Sequence, residues 1–175
     1  MSAANAGPAV VLIGPMGVGK STVGKLLGER LDAACRDTDE DIVSGAGKPI
    51  AEIFYDEGED HFRALERAAV RTALAEHEGV LALGGGAVMA AETRELLAGR
   101  PVVFLEMGVA EAARRTGLDV ARPLLAVNPR QQWRRLMEER RPLYAEVARV
   151  VVSTDERTPD EVVEEIMDAL ELRKA

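Results

Sequence analysis

The sequence predicts an α/β fold in which a parallel β-sheet is flanked by helices. Short runs of aliphatic residues alternate with longer amphipathic segments along the 175 residues, and this alternation is typical of parallel sheets. The length suits one compact domain, because a single core commonly holds about 100 to 200 residues. We therefore expect one domain over residues 1–175, with its core within residues 9–172.

The predicted strands are short and mostly apolar. Runs of four or five residues of this kind, bounded by glycine, proline or charged residues, have strand length and suit a sheet that is covered on both faces. In chain order we predict strands at 9–13, 33–36, 79–83, 101–105 and 149–152.

The predicted helices are longer segments with apolar residues on one side. In the last one, Val162, Val163, Ile166, Met167 and Leu170 recur at helical spacing with acidic residues between them. This apolar face should cover the sheet. In chain order we predict helices at 20–31, 39–44, 49–54, 59–77, 90–97, 110–115, 130–141 and 159–172.

Composition and charge argue against several classes of protein. The chain is 47% hydrophobic and 30% charged, which is ordinary for a globular domain. A net charge of -8 argues against a nucleic-acid binder, which needs a basic face. No apolar stretch is long enough for a membrane span, and the first residues lack a signal-peptide pattern. We expect a cytoplasmic protein that binds neither nucleic acid nor membrane.

Positive charge is concentrated late in the chain. Residues 110–141 hold eight arginines against four acids, so this stretch is +4 and the remainder is -12. Such a stretch is suited to holding an anion. Within it, residues 116–129 have no clean periodicity and contain Gly117, Pro123 and Pro129, which predicts a long loop of the kind that serves as a mobile lid.

Residues 14–21 read GPMGVGKS and fit the phosphate-loop pattern G-x-x-x-x-G-K-[ST]. The pattern lies directly after a predicted strand and opens a predicted helix, as a phosphate-binding loop does. This position argues against the alternative, an incidental glycine-rich turn. Backbone amides can surround phosphates there, Lys20 can reach the β- and γ-phosphates, and Ser21 offers a hydroxyl to Mg²⁺. A regulatory GTPase is disfavoured, because the chain contains neither Asn-Lys-x-Asp nor Asp-x-x-Gly.

Two carboxylates, Asp37 and Asp39, follow the second predicted strand. Alternate positions of an extended segment point to one side, so one acid can orient water on Mg²⁺ while the other accepts hydrogen bonds from hydroxyls of a phosphate acceptor. The structural alternative is that Asp39 is the N-cap of a helix beginning at Glu40.

Three further features are candidates for an acceptor site. Arg63 lies one helical turn from Glu66, which can hold its guanidinium. A glycine triplet, residues 84–86, follows the third strand at the carboxyl edge of the sheet, where ligands bind. Arg140 lies on the apolar stripe of its helix, and a buried arginine needs an anion. The structural alternatives are a solvated arginine for Arg63 and an ordinary glycine turn for residues 84–86.

Together these residues resemble the shikimate kinase family. The motifs that carry the resemblance, in order, are residues 14–21, 37–39, 62–63 (FR), 84–86 (GGG), 122–124 (RPL) and 140–144 (RRPLY). The resemblance extends from about residue 10 to the last helix. It implies a three-layer P-loop kinase fold with a five-stranded parallel sheet, acceptor-binding helices at about 39–77 and a lid at about 116–129.

The resemblance also implies roles for individual residues. Asp39, Lys20 and Arg122 would be catalytic. ATP would be bound by Gly17, Val18, Gly19, Lys20, Ser21, Thr22, Arg115, Arg122 and Arg157. The acceptor would be bound by Asp39, Arg63, Gly84, Gly85, Gly86 and Arg140. One Mg²⁺ would be held by Ser21 and, through water, by Asp37.

The function implied is transfer of the γ-phosphoryl group of ATP to the 3-hydroxyl of shikimate, in chorismate and aromatic amino-acid synthesis, by a monomer. Two alternatives stay open at this point. One is a kinase of the same fold that acts on another polyol acid such as gluconate. The other is a nucleotide-binding module without turnover.

Overall fold

The structure is a computed structural model, and it describes residues 7–116 and 129–172. Arg122 and residues 117–128 of the predicted lid, which was placed at about 116–129, therefore lie outside the described residues. Within the described ranges, no helix combines the length and the hydrophobicity that a bilayer span requires.

Five parallel strands form one sheet. The strands are β1 (Val10–Ile13), β2 (Cys35–Asp37), β3 (Val80–Ala82), β4 (Val102–Glu106) and β5 (Val150–Ser153). Their order is β2-β3-β1-β4-β5, and every neighbouring pair is parallel. Because β3 lies between β2 and β1, the segments that follow β1, β3 and β2 emerge side by side at the carboxyl edge of the sheet. The predicted fold class is confirmed.

Eight helices surround this sheet in the described part of the chain. They are α1 (Lys20–Leu31), α2 (Thr38–Ala46), α3 (Ile50–Glu57), α4 (Glu59–Glu76), α5 (Ala91–Leu97), α6 (Val109–Thr116), α7 (Pro129–Val147) and α8 (Pro159–Ala169). A short 3₁₀ helix, Ala87–Met89, precedes α5. It was not predicted.

Alternate residues of the strands belong to two apolar clusters, one on each face of the sheet. On β1, Leu12 packs in the cluster that includes Leu27 of α1 and Ile166 of α8. Its neighbour Ile13 packs in the opposite cluster, which includes Tyr144 of α7. Side chains alternate across a strand, so both faces are covered. The predicted apolar face of α8 is buried, as expected.

A third apolar cluster lies apart from the sheet. Ile42 of α2, Ile53 of α3 and Phe62 of α4 are all buried against one another. This cluster is small compared with the two on the sheet faces. It joins the segments that carry Asp39 and Arg63.

Helix α7 does not end at Arg141, as the sequence predicted, but continues through Pro142 to Val147. Proline removes one helical hydrogen bond and crowds the carbonyl four residues earlier. Both Pro142 and Glu138, whose carbonyl is affected, are exposed, so water can satisfy that group. Burial of Tyr144 and Val147 on the other side favours continuing the helix.

Candidate active site

The loop between β1 and α1 has the backbone shape of an anion site. Gly17 and Gly19 adopt φ angles of 83° and 103°, which strain any residue with a Cβ. Val18 between them is buried in the core and anchors the loop from below. Gly19 is the N-cap of α1, so the free amides of the first helical turn face the concave side of the loop.

Lys20 folds back over this loop. Its Nζ donates to the carbonyl oxygens of Gly14 at 2.6 Å and Pro15 at 3.0 Å. Burial lowers the pKa of Lys20 to about 8, although the charges of Asp39 and Asp37 favour the protonated form. The ammonium group therefore lies in the phosphate loop and releases its proton more readily than a free lysine.

Asp37 is the residue that caps α2. It is the last residue of β2, and its Oδ1 accepts a hydrogen bond from the backbone amide of Asp39 at 2.8 Å. The expectation of an extended segment through Asp39 is therefore wrong, and so is the alternative in which Asp39 caps a helix starting at Glu40. An aspartate before Thr38 satisfies a free amide of the first turn, so α2 begins earlier than predicted.

Asp39 faces the glycine triplet. A methyl group at Gly84 would come within 2.7 Å of Asp39 Oδ1 and 2.9 Å of Glu66 Oε2, so only glycine allows both carboxylates to approach. Burial raises the pKa of Asp39 to about 6, with help from the charges of Asp37 and Glu66 and against those of Lys20 and Arg63. This carboxylate is ionised near neutrality yet more basic than an ordinary aspartate.

Arg63 is fixed beside the same triplet. Its Nη1 donates to Glu66 Oε1 at 2.8 Å, and its Nε donates to Glu59 at 3.3 Å. Glu66 is only 3% exposed. A Cβ on Gly86 would lie 2.5 Å from Arg63 Nη1, which places the guanidinium directly over that glycine.

Arg140 approaches the triplet from α7. Its Nη1 lies 3.7 Å from where a Cβ of Gly85 would be. Its Nε is buried, and no residue in the described ranges accepts from it. Buried polar groups are nearly always paired, so this nitrogen is suited to an anionic ligand that enters the site.

The glycine triplet thus brings the two halves of the site together. Gly84 adjoins Asp39, Gly86 adjoins Arg63, and Gly85 adjoins both Arg140 and the phosphate loop, where the nearest atom is the Met16 amide nitrogen at 3.3 Å from a Cβ. The distant sequence candidates converge on one loop after β3. This arrangement can hold an anion bearing hydroxyls beside a bound nucleotide phosphate.

A cavity of about 300 Å³ opens on the other side of the phosphate loop. Arg115 on its wall donates to the carbonyl oxygens of Val18 at 3.0 Å and Thr154 at 2.9 Å. Arg157 also lines it and donates to Ser153 O at 3.0 Å. Both candidate arginines border a space of nucleobase size, alongside Gly17, Gly19 and Thr22.

Sequence reasoning missed two polar side chains that support the site. Glu111 binds Arg115 from the preceding turn of α6, and the hydroxyl of Tyr144 donates to the carbonyl of Gly85 at 2.5 Å. The spacing of four residues from Glu111 to Arg115 was the available signal for the first, whereas the bond from Tyr144 to Gly85 joins residues 59 apart in sequence. In the sequence, Tyr144 stands out only as part of the motif at residues 140–144.

Comparisons with known proteins identify the family of this chain. The model of the family described as shikimate kinase matches residues 16–171. The chain belongs to the shikimate kinase family. A shikimate kinase of Streptomyces coelicolor is 68% identical over 168 residues, which is 96% of this chain and 98% of that protein. The resemblance stated from the motifs is confirmed.

Solved structures give the same result. A shikimate kinase from Acinetobacter baumannii, in complex with shikimate, superposes with a TM-score of 0.85 at 38% identity, covering 96% of this chain and 94% of that one. A gluconokinase from Sinorhizobium meliloti superposes with a TM-score of 0.60 at 21% identity, covering 94% and 92%. The second likeness shows a shared fold alone.

Proposed function

We propose that this member of the shikimate kinase family transfers the γ-phosphoryl group of ATP to the 3-hydroxyl of shikimate. The products would be ADP and shikimate 3-phosphate, on the route to chorismate and the aromatic amino acids. The observation that carries the proposal is the convergence of Asp39, Arg63 and Arg140 on the glycine triplet, beside the phosphate loop. The similarity to a kinase whose structure contains shikimate supports the choice of acceptor.

The chemistry of the acceptor side fits a small carboxylic acid with several hydroxyls. Two guanidinium groups suit a carboxylate, because each can donate two parallel hydrogen bonds. The Nε of Arg140, which has no acceptor among the described residues, supplies a donor for this purpose. The amides of the glycine triplet can add to the grip, and Asp39 accepts hydrogen bonds from ring hydroxyls.

The nucleotide side fits ATP. The phosphate loop from Gly17 to Thr22 would surround the phosphates with backbone amides, and Lys20 would leave the Gly14 and Pro15 carbonyls to bind them. The cavity beside Arg115 and Arg157 would receive the adenosine. Arg122, which lies outside the described residues, is proposed to close over the phosphates from the lid.

The residues proposed for Mg²⁺ have the chemistry that this ion prefers. Ser21 presents a hydroxyl in the first turn of α1, where its side chain is exposed. Asp37 uses Oδ1 for the cap and keeps Oδ2 for a water ligand. Hydroxyl and carboxylate oxygens are hard ligands suited to Mg²⁺, which keeps several waters. When bound, the ion would offset negative charge on the β- and γ-phosphates.

Asp39 would act on the attacking hydroxyl. Phosphoryl transfer passes through a loose transition state, so alignment and charge stabilisation matter more than strong base catalysis. Asp39 would accept the hydrogen bond of the 3-hydroxyl and take its proton as the new O–P bond forms. The bond from the γ-phosphorus to the bridging oxygen breaks, and Lys20 stabilises charge on the departing ADP.

The deciding test is coupled ADP release from purified protein with Mg-ATP, with and without shikimate, and with gluconate as the control acceptor. Stimulation by shikimate and not by gluconate is the expected result. If the protein binds ATP but shikimate does not stimulate ADP release, the proposal that shikimate is the acceptor is wrong. We also expect a monomer in the cytoplasm, which light scattering and cell fractionation would test.

A further inference from the structure

We propose that Tyr144 is a positioning residue that holds the glycine triplet, the backbone part of the proposed carboxylate-binding site, in its binding geometry. The inference deepens the proposed function and rests on it. Tyr144 would touch neither substrate, and would act through the backbone of Gly85.

The tyrosine ring is itself held rigidly. Tyr144 is 0% exposed, and its ring stacks on Phe104 of β4 with centroids 4.8 Å apart. Because β4 pairs directly with β1, the ring is tied to the strand that leads into the phosphate loop. The hydroxyl therefore has a fixed position relative to that loop.

The hydroxyl supplies a hydrogen bond that the backbone does not. In the glycine triplet, the carbonyl of Gly84 accepts from the amide of Ala87 at 3.1 Å, and the carbonyl of Gly86 accepts from that of Met89 at 3.1 Å. The carbonyl of Gly85 accepts from Tyr144 Oη at 2.5 Å. Two carbonyls are thus set by the 3₁₀ helix, and the middle one is set by a side chain from α7.

This bond fixes the orientation of a whole peptide plane. A trans peptide is planar, and its carbonyl and amide point in opposite directions. Tyr144 holds the carbonyl of Gly85, so the amide of Gly86 in the same plane must point away from the hydroxyl. Glycine has the widest conformational freedom of any residue, so without this bond the plane could rotate.

Arg140 lies close to the same hydroxyl. The two residues lie four apart on α7, where side chains are neighbours, and the positive charge of Arg140 opposes the rise in pKa that burial gives the Tyr144 hydroxyl. The hydroxyl that sets the Gly85 carbonyl therefore lies beside the arginine that approaches the same glycine.

The test replaces the hydroxyl and keeps the ring, in Tyr144→Phe. The Gly85 carbonyl then loses its hydrogen-bond donor, and we expect the freed peptide plane to raise the KM for shikimate about tenfold. The KM for ATP should stay within about twofold, because the phosphate loop is untouched. The matched control is Tyr55→Phe, which removes a hydroxyl from a side chain that is 90% exposed and should change neither constant.

A merely structural role for Tyr144 gives a different result. It would lower the melting temperature and the fraction of active enzyme while leaving the KM for shikimate unchanged, and that outcome would overturn the proposal. A second readout does not depend on the active fraction. Wild type and Tyr144→Phe are compared on shikimate and on its analogue with the carboxylate reduced to hydroxymethyl.

If Tyr144 acts through the carboxylate grip, the preference for shikimate over the hydroxymethyl analogue, as a ratio of kcat/KM, should fall about tenfold in the variant. An unchanged ratio would refute the proposal even if activity fell. A wild-type chain inactive on shikimate would sink the proposed function and this role together. A wild type active on shikimate, with an unaffected Tyr144→Phe variant, would sink this role alone.

Discussion

The carboxylate of Asp37 and the backbone amide of Asp39 are joined by a hydrogen bond of 2.8 Å. This bond closes the first turn of α2 at the end of β2, and it sets the position from which the side chain of Asp39 reaches the glycine triplet. Asp37 therefore has a structural task in addition to the metal role proposed for it. Variants at this residue can separate the two tasks.

The first prediction concerns the cap. Asp37→Ala should lower the free energy of unfolding by about 1 kcal/mol, the usual cost of a lost N-cap, whereas Asp37→Asn should stay close to wild type. The asparagine variant should still need more Mg²⁺ for half-maximal turnover, because it lacks the negative charge. Urea unfolding and a Mg²⁺ titration measure the two effects. Equal destabilisation by both variants would contradict the capping role.

The second prediction concerns catalysis by Asp39. Asp39→Asn should keep the fold and the affinity for ATP while turnover falls by about 100-fold or more, the usual contribution of a positioned acid or base. Steady-state kinetics with saturating shikimate, together with calorimetric titration of ATP, measure both quantities. Unchanged turnover would show that Asp39 has no catalytic task.

The same variant tests the raised pKa of Asp39. The folded carboxyl holds its proton up to a pKa of about 6, whereas the unfolded one loses it near pH 4. The folded state therefore loses stability as the pH rises from about 4 to 6. Asparagine cannot ionise, so Asp39→Asn should melt at a higher temperature than wild type at pH 8, with little difference at pH 4. A difference of equal size at both pH values would refute this explanation.

A fourth prediction follows from Lys20. Its pKa of about 8 means that the ammonium form dominates below pH 8 and is lost above it. Affinity for ATP should therefore fall as the pH rises from 8 to 9.5, and binding at pH 8 should take up protons. Calorimetry in buffers of different ionisation enthalpy measures both. In Lys20→Arg the charge persists, so the affinity for ATP should be lower overall but should not change with pH. The same decline with pH in the variant would show that another group causes it.

The fifth prediction uses the glycine next to Arg63. In Gly86→Ala the new methyl group would lie 2.5 Å from Arg63 Nη1, so the guanidinium must move while the backbone need not. The KM for shikimate should rise by about tenfold, as for a displaced ionic contact, with stability nearly unchanged. The control is Gly45→Ala in α2, where a Cβ meets nothing within 4 Å. Equal KM values in the two variants would argue against contact between Arg63 and the acceptor.

Much of the fold follows from sequence pattern, and the errors have physical causes. The five strands and the order of the eight helices in the described part of the chain were predicted, because the spacing of apolar residues and the positions of turn residues determine these elements. The end of α7 was missed because Pro142 predicts a stop, whereas burial of Tyr144 favours continuation. The start of α2 was misplaced because the boundary depends on one side-chain hydrogen bond, that of Asp37.

The site shows the same division. Motif position was enough to predict that the loop after β3 lies near the phosphate loop, since β1 and β3 both end at the carboxyl edge of the sheet. The distant partners of Arg115 could not be predicted, because Val18 is 97 residues away in sequence and Thr154 is 39. A tyrosine at apolar spacing resembles an ordinary core residue, so the bond from Tyr144 to Gly85 required the structure.

The small cluster of Ile42, Ile53 and Phe62 has a consequence for motion. It is the separate core of the segment that carries Asp39 and leads to Arg63, so this segment can open locally at a lower free energy than the sheet. Its amide hydrogens should exchange with solvent sooner than those of β1 or β4. A bound acceptor that joins this segment to the glycine triplet must slow that exchange, so part of its binding free energy is spent on ordering the protein.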